Sequence, residues 1–315
     1  MPTEVPMGFN DFVGNKHAIG QLRLLVDDEK ESKCLPHIGF FGPAGHGKTT
    51  LAQIVADETK RKFVYINSVA VKTPMLLRGI ITHPENMMHG AIVCMDECHR
   101  LPKTIQDNML SVLEKPAVLV TSYKDQIIRD TLPNHITFVL ATTHQGMLND
   151  PLISRLECVE LHEYSTEEKQ TIAIKYLNRV HGMKGAQFNV DAILEVGRRA
   201  RSGRHVIKIC ENIMRFMRVE KKDKITLQIV EDVFSIIGVD HNGLTKRDAL
   251  LLRYLAMTGS CGLETLEAYL NMPRKDIKEK VEPWLLRRNL MIRSSNGRTI
   301  TQRGMAALRG EKVNV

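Results

Sequence analysis

A run of apolar residues, His37-Ile38-Gly39-Phe40-Phe41, leads directly into Gly42-Pro43-Ala44-Gly45-His46-Gly47-Lys48-Thr49. The chain then continues through Thr50 into a stretch of good helix formers ending near Thr59. No other feature constrains the fold so strongly. The pattern G-x-x-x-x-G-K-[ST], set between a strand and a helix, is the phosphate-binding P-loop. Its glycines let the backbone wrap around phosphates with N–H groups facing inward. The helix adds its positive N-terminal end. Lys48 supplies a point charge for the β- and γ-phosphates, and Thr49 a hydroxyl for Mg²⁺. The expected ligands are therefore ATP and Mg²⁺, contacted by residues from Gly42 to Thr50.

Four apolar runs read as buried strands: His37–Phe41, Phe63–Asn67, Ala91–Met95 and Ile136–Ala141. Helical stretches, Thr49–Thr59 and Thr104–Leu113, lie between them. Such alternation predicts an α/β fold, a parallel sheet with helices on both faces. Ligands of these sheets bind at the carboxyl ends of the strands. Two further motifs fall at those ends. Ala91–Met95 runs into Asp96-Glu97, where Asp96 suits the Mg²⁺ shell and Glu97 suits orienting the attacking water. Cys94 and Cys98 flank the pair, but a zinc site is not expected, since Cys94 falls inside the strand and no second pair is near. Ile136–Ala141 ends in Thr142-Thr143, a polar strand end able to sense a γ-phosphate. Pro151-Leu152-Ile153-Ser154-Arg155 follows. A guanidinium fits the delocalised charge of a transferring phosphoryl group. An arginine in a surface loop is otherwise a salt-bridge residue.

Together GPAGHGKT, MDECHRL, the strand end ATTHQG and the segment PLISR resemble the AAA+ ATPases, and their wording is similar to the RuvB family of Holliday-junction branch-migration motors. The likeness runs from about Phe9 to Leu308. It implies a hexameric ring with ATP at subunit interfaces. Phe12-Val13-Gly14-Asn15 resembles the adenine-side segment of that family. By the same likeness Thr143 would be the first sensor of the γ-phosphate, and Arg155 a finger reaching the neighbour's ATP.

Residues 166–240 read as a helical lid, beginning at Ser165-Thr166-Glu167-Glu168 and continuing in Phe188–Arg201 and Val206–Val219. Between the last two lies Arg201-Ser202-Gly203-Arg204-His205, which resembles the family's second sensor. The match is one residue shorter than the usual wording, so either Arg204 or His205 can occupy the position; Arg204 is the choice here. Residues 241–315 read as three helices, about Thr245–Met257, Leu263–Leu270 and Pro273–Asn289. A ribbon follows, Leu290–Arg293 and Arg298–Gln302, turning at Ser294–Gly297. Helices followed by a hairpin predict a winged helix. The expected domains are thus 1–165, 166–240 and 241–315.

Charge is distributed unevenly over these domains. The whole chain carries 44 Lys and Arg against 36 Asp and Glu, a net +8. Residues 1–165 have net −3, 166–240 net +4 and 241–315 net +7. A basic C-terminal module fits sequence-indifferent contact with phosphates, hence double-stranded DNA or a four-way junction as partner. Arg293, Arg298 and Arg303 near the wing are the expected contacts. Trp284 and Leu285 are expected in the core. Aromatics make up 5%, which argues against single-strand binding on stacking platforms.

Val118-Leu119-Val120 and Ile127-Ile128 are expected to pair as a hairpin across Tyr123–Gln126. The resemblance implies that such a hairpin docks a RuvA-type junction-binding protein, although this turn is polar and lacks the family's Gly-rich tip. No apolar run approaches the ~18 residues of a membrane span. The N-terminus MPTEVPMGFNDF has no secretory pattern, and a cytoplasmic location is expected. The sequence therefore predicts an ATP-driven DNA translocase or helicase. The alternative is a clamp-loader-like AAA+ protein whose ATP state controls assembly of a partner on DNA. A DNA-binding regulator with a degenerate ATPase is disfavoured by the intact Lys48, Asp96, Glu97 and Arg155.

Overall fold

The computed structural model describes residues 8–83, 90–123, 126–132, 136–183 and 187–313. The chain divides into two compact units, Met1–Ser165 and Thr166–Val315. Among the described residues no helix is long and apolar enough to cross a membrane.

In the first unit five strands among the described residues form a parallel sheet in the order β2-β3-β6-β1-β7. They are β1 (Ile38–Phe41), β2 (Phe63–Asn67), β3 (Ile92–Asp96), β6 (Thr137–Thr142) and β7 (Glu157–Glu160). β1 and β6 are buried at every position, and β3 at all but Asp96. Strands covered on both faces read as continuous apolar runs, which is why these were visible in the sequence. β7 was not expected. Its sequence, Glu-Cys-Val-Glu, buries only Val159, so an edge strand here looks like a polar loop. Helix α1 (Lys16–Ser32) precedes β1, and α2 (Lys48–Glu58) follows it. α3 (Pro74–Ile81), unread in the sequence, starts with Pro74 at its first turn and Thr73 capping the N–H of Leu76. α4 (Lys103–Val112) packs its apolar face into the same core through Ile105, Met109 and Val112.

The hairpin of β4 (Val118–Tyr123) and β5 (Gln126–Thr131) forms as an antiparallel pair. Its turn residues, Lys124 and Asp125, lie outside the described residues. Arg78 on α3 pairs with Asp130 at 2.6 Å, fixing the base of the hairpin.

The second unit contains two separate apolar cores. One gathers residues from Ala173 to Val239 in α5 (Thr166–His181), α6 (Val190–Arg199), α7 (Gly203–Val219) and α8 (Leu227–Ile237). Polar caps start three of these: Asn189, Ser202 and Thr226 each accept from a first-turn N–H. The other core runs from Leu244 to Ala307 in α9 (Lys246–Thr258), α10 (Leu263–Leu270), α11 (Glu282–Arg287) and α12 (Gln302–Leu308). β8 (Ser260–Cys261), β10 (Gly297–Ile300) and β9 (Met291–Ser294) form a three-stranded wing in that order.

Two expectations change here. The helix read over Pro273–Asn289 is interrupted. A turn at Arg274–Asp276 passes through a π turn, Ile277–Val281, before α11 begins. Pro283 has no N–H to give and its ring crowds the preceding turn, so a uniform helix cannot run through it. The ribbon also gains β8 as a third strand and α12 behind it, neither of which was anticipated. Trp284 and Leu285 are buried, as read from the apolar stripe.

Candidate nucleotide site

The P-loop leaves the carboxyl end of β1, and α2 begins at Lys48. Gly47 sits at φ 95°, and a Cβ there would come within 2.5 Å of the Phe12 ring and 2.9 Å of the Tyr164 hydroxyl. A Cβ on Gly42, at φ 148°, would meet the Leu161 carbonyl oxygen at 2.3 Å. Only glycine fits either place. The loop is shaped from within. Lys48, 6% exposed, donates to the carbonyls of Gly42 at 2.8 Å and Pro43 at 2.9 Å. The buried His46 ring lies with Nδ1 2.9 Å from the Ala44 carbonyl and stacks on Tyr164 at 5.3 Å. Tyr164 in turn donates to the His46 carbonyl at 3.0 Å. The His46 ring thus braces the loop. Ala44 is exposed, while Gly45, Thr50 and Val13 are half-buried.

Thr49 Oγ1 donates to Asp96 Oδ2 at 3.4 Å. The Tyr65 hydroxyl reaches the same oxygen at 3.2 Å. A hydroxyl beside one carboxylate, below a phosphate cradle, is the donor set Mg²⁺ favours when substrate phosphates and water complete its shell. The residues fit that ion. Glu97 is a non-glycine residue at φ 52°. Such a conformation is uncommon and concentrates at functional sites. It turns the carboxylate across the strand ends. Glu97 Oε2 accepts from Thr143 Oγ1 at 3.2 Å, and His99 Nδ1 lies 3.2 Å away. His99 Nδ1 is also 2.9 Å from Thr142 Oγ1, and His144 Nδ1 is 2.8 Å from Thr143 Oγ1.

The fold therefore gathers Gly42–Thr50, Asp96, Glu97, Thr143 and the Phe12 ring at one end of the sheet. His99, His144, Tyr65 and Tyr164 join them unannounced. His99 could have been suspected from its place two residues after Glu97; the other three depend on tertiary packing. Burial pushes the thiols of Cys94 and Cys98 well up, as inert core groups.

Arg155 stands elsewhere. It precedes β7, whose Glu157 pairs with Ile38 at the start of β1, whereas the P-loop follows Phe41, paired with Glu160. Three residue steps of strand, ~10 Å, separate those two levels. The guanidinium holds Glu114 and the Pro151 carbonyl.

In the second unit Arg204 is the exposed second residue of α7. His205 is different: burial, then Arg201, Lys208 and Lys169, push its pKa down to about 4, and its Nδ1 accepts the Arg201 N–H at 3.1 Å. At the wing, Arg293 is exposed and Arg303 half-buried. Arg298, expected at phosphate, has a structural partner instead of a free guanidinium. It is 11% exposed and donates to Glu282 at 2.7 Å, while Glu282 is 1% exposed. Removing the arginine would leave the buried carboxylate only the more distant Arg293, 3.7 Å away, so Arg298 holds the wing to α11.

Comparison with known proteins settles the family. Residues 5–161 match the family model of the Holliday junction DNA helicase RuvB P-loop domain. Residues 241–309 match that of the RuvB C-terminal winged helix domain. A Holliday junction branch migration complex subunit RuvB from Wolbachia of Brugia malayi is 31% identical over 306 residues, covering 95% of this chain and 91% of its own. The chain belongs to the RuvB family. A RuvB subunit from Ehrlichia ruminantium is 27% identical across 98% of this chain and 93% of its own. The Thermotoga maritima RuvB Holliday junction branch migration motor superposes with TM-score 0.83 at 26% identity, covering 98% and 99% of the two chains. RuvB-family membership and the P-loop together make this a nucleotide-binding AAA+ ATPase with a winged-helix domain.

Proposed function

We propose that this chain is a double-stranded DNA translocase that hydrolyses Mg-ATP to drive branch migration of four-way junctions. We further propose that it works in the cytoplasm as a hexameric ring. The observation that carries the reading is the gathering of Lys48, Thr49, Asp96, Glu97 and Thr143 at the carboxyl ends of adjacent strands, in a chain of the RuvB family.

Lys48 exchanges the carbonyls of Gly42 and Pro43 for phosphate oxygens. Thr49 and Asp96 are the residues that would hold Mg²⁺, which when bound neutralises phosphate charge. Glu97 orients the attacking water and takes up its proton. Thr143 and His99 fix the position of that carboxylate. Phe12 and Val13 border the base, and Arg204 reads the phosphates from the lid. The depressed pKa of His205 favours Arg204, since a neutral ring used as an acceptor offers no charge to phosphate.

Arg155 acts on the ATP of a neighbouring subunit. What supports this is its place at the amino end of β7, away from its own P-loop. It must leave Glu114 to do so. Arg293 contacts phosphates at the wing, and Arg303 contacts them from α12. The β4–β5 hairpin, with Ile127 exposed on its arm, docks a RuvA-type partner.

The test is strand exchange of a synthetic four-way junction with ATP, comparing wild type with Glu97→Gln. General-base loss should slow hydrolysis by about 10²- to 10⁴-fold while ATP binding persists. Junction movement should stop with it. A wild-type protein whose ATPase ignores junction and duplex alike, and which moves no junction with a junction-binding partner, would refute the motor. ATP-dependent assembly of a partner on DNA without junction movement would establish the loader alternative. Mass photometry with ATP and DNA tests the hexamer.

A further inference from the structure

The lid core ends at Val239 and the winged-helix core begins at Leu244, with no buried apolar residue in common. Their joint is instead polar, and most of it converges on the short segment from Arg198 to His205. The Arg201 guanidinium pairs with Asp248, 1% exposed, in the first turn of α9. It also donates to the Gly243 carbonyl at 3.1 Å and lies 5.0 Å over the Trp284 ring. Arg288 covers the same ring at 4.4 Å and donates to the Arg198 carbonyl at 3.1 Å. Trp284 is two residues from Glu282, which holds Arg298 of the wing.

On the lid side the segment has little freedom. Arg199 is locked between Glu195 and Glu231. The buried Lys169 donates to the Ala200 carbonyl at 3.0 Å. The Arg201 N–H is taken by His205, and Ser202 caps α7 through the His205 N–H at 3.2 Å. The linker is equally firm, since Asp240 Oδ1 accepts from the N–H groups of Asn242 at 2.9 Å and Leu244 at 2.8 Å. A cavity of about 430 Å³ opens beside Arg201 and Asp248, lined also by Ile236, Met272 and Val281. One flank of the joint is therefore not filled by side chains, which leaves the charged contacts as its main fastening.

We propose that Arg201 is a positioning residue: it ties the winged-helix module to the lid segment that carries Arg204, so that engagement of DNA sets the placement of Arg204. The inference rests on the reading above that Arg204 senses the phosphates and the winged helix holds DNA. A displacement of α9 or α11 is felt directly at Arg201, and only the capped start of α7 lies between Arg201 and Arg204. A direct readout is available because coupling between two sites appears as a ratio, not as a loss at either site.

The experiment measures ATP hydrolysis by the full-length chain without DNA and with saturating duplex, together with duplex affinity in the absence of nucleotide. Arg201→Gln should leave basal hydrolysis and duplex affinity as in wild type, while the stimulation factor falls by about fivefold or more. Arg201→Lys keeps the charge for Asp248 but loses the planar stack on Trp284, and should give an intermediate factor. If thermal melting shows Arg201→Gln unfolded, Asp248→Asn is judged by the same criterion, since it removes the charge while keeping an acceptor for Thr245. Wild-type stimulation in a folded variant overturns the inference. So does an equal loss of basal and stimulated rates, which marks a merely structural residue. A wild type that duplex does not stimulate overturns this inference, and if it also ignores and fails to move a junction, the proposed function falls with it.

Discussion

In the first unit, Lys48 and Thr49 open α2 while Asp96, Glu97 and Thr143 stand at the ends of neighbouring strands, Thr49 on Asp96 and Thr143 on Glu97. In the second unit, Arg199, Arg201 and Arg298 point into the protein and end on Glu231, Asp248 and Glu282. The first unit has net charge −3 and holds the anion site; residues 241–315 have net +7, yet one of the three arginines expected at DNA is internal. Net charge therefore measures the long-range field of a module, while the identity of its contacts depends on how far each cation is exposed: Arg298 is 11% exposed and Arg293, which also lies 3.7 Å from Glu282, is 55% exposed. A phosphate cradle works by geometry and backbone N–H groups, so it can sit in an acidic domain.

The largest effect expected from this contrast lies at Arg155. Arg155→Ala should bind ATP normally and hydrolyse it about 10³-fold more slowly. Mixing it with Glu97→Gln subunits should restore part of the rate, because each supplies what the other lacks. Mixed rings as inactive as either parent would place the finger within its own subunit. The second effect separates the units. Glu282→Ala leaves Arg298 buried without its partner and should destabilise the C-terminal unit by about 3–5 kcal/mol in chemical denaturation. ATP binding by the first unit should not change, and a matching loss there would erase the distinction.

Acid should act on both units alike. His37 and His205 each accept a backbone N–H on Nδ1, from Phe138 at 3.0 Å and Arg201 at 3.1 Å. Burial is the main cause that pushes both down to about 4 from the ordinary 6.5, with Lys115 and Arg61 adding to it at His37. Between those values the unfolded chain binds more protons than the folded one. Stability is thus complete above pH 6.5 and declines as pH falls toward 4, by roughly 3 kcal/mol for each histidine. Denaturation midpoints of His37→Asn and His205→Asn across that window provide the check; a slope equal to that of wild type would remove the assignment. The smallest effect belongs to Arg293→Ala, which should lower the salt dependence of duplex binding by about one ion. An unaltered slope would move the phosphate contact to another face.

Much of the first unit was legible because its strands are apolar throughout and its motifs sit where those strands end. β7 was not, since alternating glutamates disguise an edge strand. The site was legible wherever residue type and spacing carry the chemistry, as at Lys48, Asp96 and Glu97. The pairing of Arg298 was not legible because its partner lies sixteen residues upstream, and only the turn into the wing brings the two together. α12 escaped notice because a seven-residue helix after a hairpin has too few turns to show a period.

Phe12 and Tyr164 both press on Gly47, and Asn15 accepts the His162 N–H at 2.7 Å. The beginning and the end of the first unit thus meet at the phosphate loop. During synthesis the loop is made early, yet its final brace is added only when residue 164 emerges from the ribosome. A protein cut back before Tyr164 would keep Gly42–Thr50, Asp96, Glu97 and Thr143 while losing the ring that braces the loop among them.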